Sequence, residues 1–182
     1  MPLDVARLPD ALVVVATDGA LLPREHGFPA RLLIPGRYGF KSVKWLQELE
    51  VLATSPLGYW EERGWDAAGI IRTQSRFDVP LDHSQVRSPF LAAGVAWAGI
   101  RGIARVEVST DDGRSWHATE LEATADTPSW RRWKIALHLA PGVYPLTIRA
   151  TDGAGRLQDA LYRPPHPSGV CGYLRIAVTV AR

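Results

Sequence analysis

The sequence predicts a mainly β protein whose C-terminal half is an immunoglobulin-like antiparallel β-sandwich. Apolar side chains recur at every second position over short runs, as in Val106 and Val108, in Leu146, Ile148 and Ala150, and in Ile176, Val178 and Val180. These runs are spaced about ten residues apart by Asp-, Gly- and Pro-bearing turns, the pattern of two packed antiparallel sheets. A third observation narrows the class. The chain has 1 cysteine, so the inter-sheet disulfide of antibody domains is excluded.

Composition divides the chain into three regions. Residues 1–52 contain the run ALVVVA at 11–16, bounded by Asp10 and Asp18, which predicts a buried strand. Asp18-Gly19 marks a turn, and RLLIP at 31–35 predicts a second short strand ending at a proline. In residues 41–52 the apolar Val43, Trp45, Leu49 and Val51 share parity, so a third strand is expected there. Residues 53–85 mix Gly, Pro and charge without a sustained period and read as an irregular connector pinned by Tyr59, Trp60 and Trp65. From 86 to 182 strand follows strand. Val106 and Val108 face one way and Arg105 and Glu107 the other, and Asp111-Asp112-Gly113 turns the chain toward Trp116. Trp133, Ile135, Leu137 and Leu139 alternate with Arg132, Lys134 and His138. Pro141-Gly142 and the Asp152–Gly155 stretch turn the chain on either side of the next strand, and a last strand carries Leu174, Ile176, Val178 and Val180.

The totals exclude several classes. The 182 residues are 46% hydrophobic and 22% charged, with Lys+Arg 21 against Asp+Glu 19 and a net charge of +2. That balance gives no electrostatic case for nucleic acid or an anionic membrane surface, so affinity for an anion has to come from a local cluster. The apolar run at 11–16 is too short to cross a bilayer, and no basic leader with a long apolar core is visible, so no membrane segment is expected. A single thiol, Cys171, excludes a cysteine-based zinc site, and no His or carboxylate stands at metal-ligand spacing. No catalytic residue and no metal ligand is assigned.

One local cluster stands out. Residues 25–50 gather Arg31, Arg37, Lys41, Lys44 and His26 around Gly27, Gly36 and Gly39, with Pro29 and Pro35. GRYGFKS at 36–42 has the look of a phosphate loop, yet its spacing fails the G-x-x-x-x-G-K-[ST] rule. The chemistry survives the failed motif. Glycines let backbone N–H groups approach an anion, and Lys and Arg add charge-assisted hydrogen bonds. Read from residues alone, an anion site and a solvated turn both remain open.

HGFPARLLIPGRYGFKSVKWL at 26–46 resembles the closing segment of the molybdopterin-binding domain of the sulfite oxidase family. GVAWAG at 94–99, RVEVSTDDGRSW at 105–116, WRRWK at 130–134 and IRATDGAGRLQ at 148–158 resemble, in the same order, that family's C-terminal immunoglobulin-like dimerisation domain. The resemblance implies a fragment of the α+β cofactor domain over 1–52, the connector over 53–85 and the dimerisation domain over 86–182. It implies molybdopterin, the molybdenum cofactor, as ligand of the parent enzyme. His26 and Arg31 would contact the pterin, and Ser42, Val43 and Lys44 would hold its phosphate and pterin through backbone and ammonium groups. The implied partners are a second copy, through the sandwich, and the first half of the cofactor domain.

The departures from the family are as informative. In the family the molybdenum is held by a cysteine thiolate in that first half, which Cys171 does not match. The chain is therefore expected to begin midway through the cofactor domain and to be inactive alone, although the complete parent is an oxidoreductase. The alternative is a non-catalytic dimerisation module carrying a remnant of the cofactor wall. Ser168 occupies the position where sulfite-oxidising relatives resembling this chain carry an arginine, so the expected substrate is not sulfite.

Overall fold

Residues 1–182 are described by a computed structural model, and they divide into two units. The first unit comprises Met1–Ile71 with His166–Gly169, and the second Arg72–Pro165 with Val170–Arg182.

The first unit holds four short strands: β1 (Leu12–Val14), β2 (Ala16–Thr17), β3 (Ala20–Leu21) and β4 (Arg31–Leu33). β1 and β4 pair antiparallel, with Val13 opposite Leu32 and Val14 opposite Arg31. β2 and β3 form a hairpin across Asp18-Gly19, where both residues have positive φ. The run at 11–16 is thus broken into two strands, and it is not buried as the sequence suggested. Leu12, Val13 and Val15 are each about half exposed. A two-stranded sheet cannot cover its own apolar faces.

The strand expected over 41–52 does not form. Gly39–Lys41 is a 3₁₀ turn and no regular element follows it before residue 74. Trp45 sits in the left-handed region at φ 56, which interrupts an extended run. In place of a ladder, single bonds hold the segment: Leu32 N–H to Val43 O, Trp45 N–H to Gly27 O and Leu46 N–H to Ala30 O.

The second unit is a two-sheet sandwich. Its strands are β5 (Gln74–Val79), β6 (Ser84–Arg87), β7 (Phe90–Trp97), β8 (Ile103–Ser109), β9 (His117–Ala118), β10 (Glu120–Leu121), β11 (Arg131–Leu137), β12 (Gly142–Asp152) and β13 (Leu174–Ala181). One sheet has the order β10-β11-β7-β5 and the other β6-β13-β12-β8-β9, antiparallel except for the β6–β13 pair. Immunoglobulin-like architecture follows from the alternation. Val106, Val108, Leu146, Ile148, Ala150, Ile176 and Val178 point inward from one sheet, and Phe77, Ala92, Ala96, Trp133 and Leu137 from the other. Trp133 meets Phe77 edge-on at 5.4 Å, and it lies so close to β7 that a Cβ on Gly94 would come within 3.0 Å of its ring.

Two details differ from the sequence reading. β5 falls inside the stretch read as irregular connector. Glu107, read as facing away from Val106 and Val108, is nonetheless buried under Arg149, whose Nε donates to it at 2.9 Å. The Arg149 guanidinium in turn lies 3.9 Å from the centre of the Trp116 ring, so stacked side chains cover this patch of the outer face.

Candidate cofactor site

The basic loop separates into two parts with different electrostatics. Arg37 donates to the Ala68 carbonyl, and Lys41 forms an ion pair with Glu61. The Lys41 hydrogen bond is the main cause that holds the Glu61 carboxyl below its ordinary range. Both groups help to line a cleft of about 330 Å³ walled by Val5, Ile34, Pro56 and Leu57. These two cations are already satisfied within the unit.

In the other part the cations meet backbone carbonyls and no carboxylate. Gly27, at φ +114, ends the 3₁₀ turn Arg24–His26 in a conformation that side chains rarely adopt. A Cβ placed there would come within 3.1 Å of Arg31 Cβ and 3.2 Å of Lys44 Cβ. The missing side chain therefore lets the start of β4 and the 42–46 segment close on the turn, which brings Arg31 and Lys44 together. Lys44 Nζ donates to the Glu25 carbonyl at 2.7 Å, and Trp45 Nε1 donates to the Arg24 carbonyl at 2.9 Å. Arg31 Nη1 reaches the His26 carbonyl at 3.4 Å, while its Nε is buried with no partner.

The five residues singled out by sequence fall into distinct places. Arg31 is half-buried, Lys44 and His26 are exposed, and His26 contributes its carbonyl to the cluster. Ser42 is buried, and its hydroxyl accepts the Ile34 N–H at 3.2 Å, which ties the end of the loop to β4. Val43 is exposed and gives its carbonyl to Leu32, while the N–H groups of Val43 and Lys44 donate to nothing within the chain. Cations without carboxylates, a buried orphan donor and two unspent backbone donors suit an anion. Sequence reasoning missed Gly27 as a determinant, because a residue without a side chain shows its role only through φ and the contacts it permits.

The His166–Gly169 segment, within the 86–182 range expected for the dimerisation domain, groups with the first unit. Pro167 accepts the Asp66 N–H at 3.0 Å, and the His166 ring lies edge-on to Trp65 at 5.3 Å with Nε2 3.3 Å from the Arg63 carbonyl. Ser168 lies in this segment. Cys171 belongs to the second unit, where it is buried and its Sγ donates to the Leu161 carbonyl at 3.1 Å.

Residues 1–60 match the oxidoreductase molybdopterin binding domain family, and residues 65–164 match the Mo-co oxidoreductase dimerisation domain family. The chain belongs to the sulfite oxidase family of molybdopterin oxidoreductases. Rat mitochondrial sulfite oxidase is 31% identical over 191 residues, covering 90% of this chain and 35% of its own length. The nitrate reductase [NADH] 1 of Phaseolus vulgaris is 26% identical over 188 residues, covering 82% of this chain and 21% of its own. The chain thus spans well under half the length of the curated relatives it matches. The crystal structure of the sulfane dehydrogenase SoxCD from Paracoccus pantotrophus superposes on all of this chain and 53% of that one, with TM-score 0.77 and 24% identity. That likeness shows a shared fold.

Proposed function

We propose that this chain supplies one wall of the molybdenum-cofactor site and the dimerisation domain of a sulfite oxidase family enzyme. The orphaned Arg31 Nε in the loop closed around Gly27 carries this reading. A buried guanidinium nitrogen without an acceptor asks for an anionic one. Arg31, Lys44 and the N–H groups of Val43 and Lys44 would hold the phosphate-bearing pterin. Ser42 positions the loop through Ile34, and His26 adds a donor at the rim. When bound, the cofactor supplies two-electron oxidation–reduction with oxygen-atom transfer. The chain's own residues bind its anionic end and fix its orientation, with no proton transfer assigned to them.

By itself the chain is inactive on this proposal, because its one thiol is buried and hydrogen-bonded and is not presented as a metal ligand. It then acts as a dimerisation module carrying a cofactor wall. Molybdenum analysis separates the two states. Metal stoichiometric with the longer enzyme and absent from the purified chain supports the proposal; stoichiometric metal on the chain alone overturns its inactivity. Association of two copies through the sandwich is part of the same reading, and sedimentation of a clean monomer at micromolar concentration would remove it.

The substrate of the parent enzyme is proposed not to be sulfite. The relatives named above are named for sulfite, nitrate and sulfane, so membership alone does not choose. A compact dianion requires converging cations, and Ser168 offers a neutral hydroxyl where the family resemblance places an arginine. One lost contact of this kind costs about 3 kcal/mol, roughly a hundredfold in rate. Steady-state kinetics with sulfite and an artificial acceptor should show a poor kcat/KM that Ser168→Arg improves. An already high value that the substitution leaves unchanged would exclude the idea.

A further inference from the structure

The core-facing positions of β11 are Arg131, Trp133, Ile135 and Leu137, and the first of them is a cation. Arg131 pairs in the ladder with Ala96, which is fully buried, so its side chain starts on the inner side of the four-stranded sheet. A guanidinium at the end of an apolar stripe needs partners. Its Nε is buried and has none. Arg131 also helps to line a cavity of about 430 Å³ at the end of the sandwich, with Ile103 of the other sheet and Gly153 just beyond β12 on the opposite side.

The lining is rich in donors. Thr124, Thr127 and Ser129 bring hydroxyls from the loop before β11, and Arg101 stands on the opposite wall. Arg101 is already committed, its Nε donating to Asp152 at 2.7 Å and its Nη2 reaching Thr73 at 3.3 Å. The one carboxylate of the lining, Asp126, accepts the Ser129 N–H at 2.9 Å, and Thr124 donates to the Asp126 carbonyl at 3.1 Å. Asp126 thus caps its own loop and leaves the Arg131 Nε unanswered.

We infer that this cavity is a second anion site, taking a phosphate or sulfate group through Arg131 and the Thr127 and Ser129 hydroxyls. The site lies wholly in the sandwich unit and is independent of the cofactor wall. The volume exceeds that of a bare oxyanion and falls in the range of small-molecule pockets, so a monoester fits the same chemistry. Asp126 works against the ligand's charge, and that opposition gives the proposal a second handle.

The test is titration of the full 182-residue chain with inorganic phosphate, inorganic sulfate and glycerol phosphate at constant ionic strength, followed by backbone amide NMR. Saturable shifts confined to residues 101–103, 124–131 and 153 are expected. Arg131→Gln should weaken them roughly tenfold or more, while Asp126→Asn, which keeps the loop cap, should strengthen binding. Thr127→Val should weaken it with the spectrum otherwise unchanged, so a misfolded Arg131 variant cannot decide the matter alone. Tighter binding of the ester than of free phosphate assigns the extra volume to the ligand, and equal affinity assigns the site to the free ion; either supports the proposal. Shifts that never saturate, or that persist in both the Arg131 and Thr127 variants, overturn it.

Discussion

The two units differ in the core they gather, although both leave some large apolar side chains exposed. The sandwich directs Val106, Val108, Leu146, Ile148 and Trp133 into one core at 1% exposure or less. The first unit buries Val5, Leu22, Ile34 and Ile71, yet leaves Leu21, Trp45, Leu49, Val51 and Leu57 each more than half exposed. Its cofactor loop is held by single hydrogen bonds to carbonyls, whereas the sandwich is held by ladders. The contrast matches the proposed roles. A scaffold needs a core, while a wall of a binding site needs donors that nothing inside the unit satisfies.

The largest expected effect comes from separating the units. A chain of residues 72–182 should unfold cooperatively in denaturant, because it retains both sheets and the core. Residues 1–71 alone should show no cooperative transition, since pairs of short strands do not make an independent core. A sharp transition in 1–71, followed by circular dichroism, would break the comparison. A piece starting at residue 86 should be weaker than one starting at 72, as it lacks β5 and with it Phe77.

Substitution of one tryptophan in each unit sharpens the contrast. Trp133→Ala, at 1% exposure, should cost about 3–5 kcal/mol by transfer and cavity formation. Trp45→Ala, at 58% exposure, should cost about 1 kcal/mol, the worth of its hydrogen bond to Arg24. Denaturant midpoints of the whole chain measure both.

A smaller effect belongs to Asp152, buried at the end of β12. Burial raises its pKa, but the Arg101 hydrogen bond, the Arg156 and Ala154 N–H groups and the Arg156 charge outweigh burial and leave it lowered. A lowered carboxyl pKa contributes stability that is complete above the unfolded value of about 3.9 and is lost as pH falls through the folded value. Asp152→Asn should therefore cost about 3 kcal/mol at neutral pH by leaving Arg101 without its counter-charge. The difference from wild type should shrink below about pH 4. A gap that stays constant from pH 7 to pH 3 would mean that the carboxylate charge is not what matters.

The sandwich was legible because its core strands alternate, so Leu146, Ile148 and Ala150 announce their own face. β5 was not legible. Its inward positions are Ser75 and Phe77, and Ser75 faces inward because its hydroxyl donates to Gln158 at 2.7 Å, a polar pair that erases the apolar period. β6 was hidden for a related reason: SQVR gains its place from parallel pairing with β13, a long-range partner with no local mark. In the first unit the shared parity of Val43 and Trp45 pointed to a strand, but Trp45 adopts a left-handed backbone that parity cannot reveal. The cations of the cofactor loop were visible as a group. Which of them meets a carboxylate depended on Glu61, a contact from well beyond the loop.

The central claim is that Arg31 and Lys44, closed around Gly27, hold the anionic end of a pterin cofactor. The most direct measurement is the molybdopterin content of the parent enzyme, read from the fluorescence of its oxidised form, in wild type and in Arg31→Ala and Lys44→Ala at limiting cofactor. Each lost charge-assisted bond is worth about 1.5–3 kcal/mol, so each variant should hold roughly tenfold less cofactor or worse while its sandwich unfolds at the wild-type midpoint. Undiminished pterin in both variants would contradict the account and return the basic loop to a solvated turn.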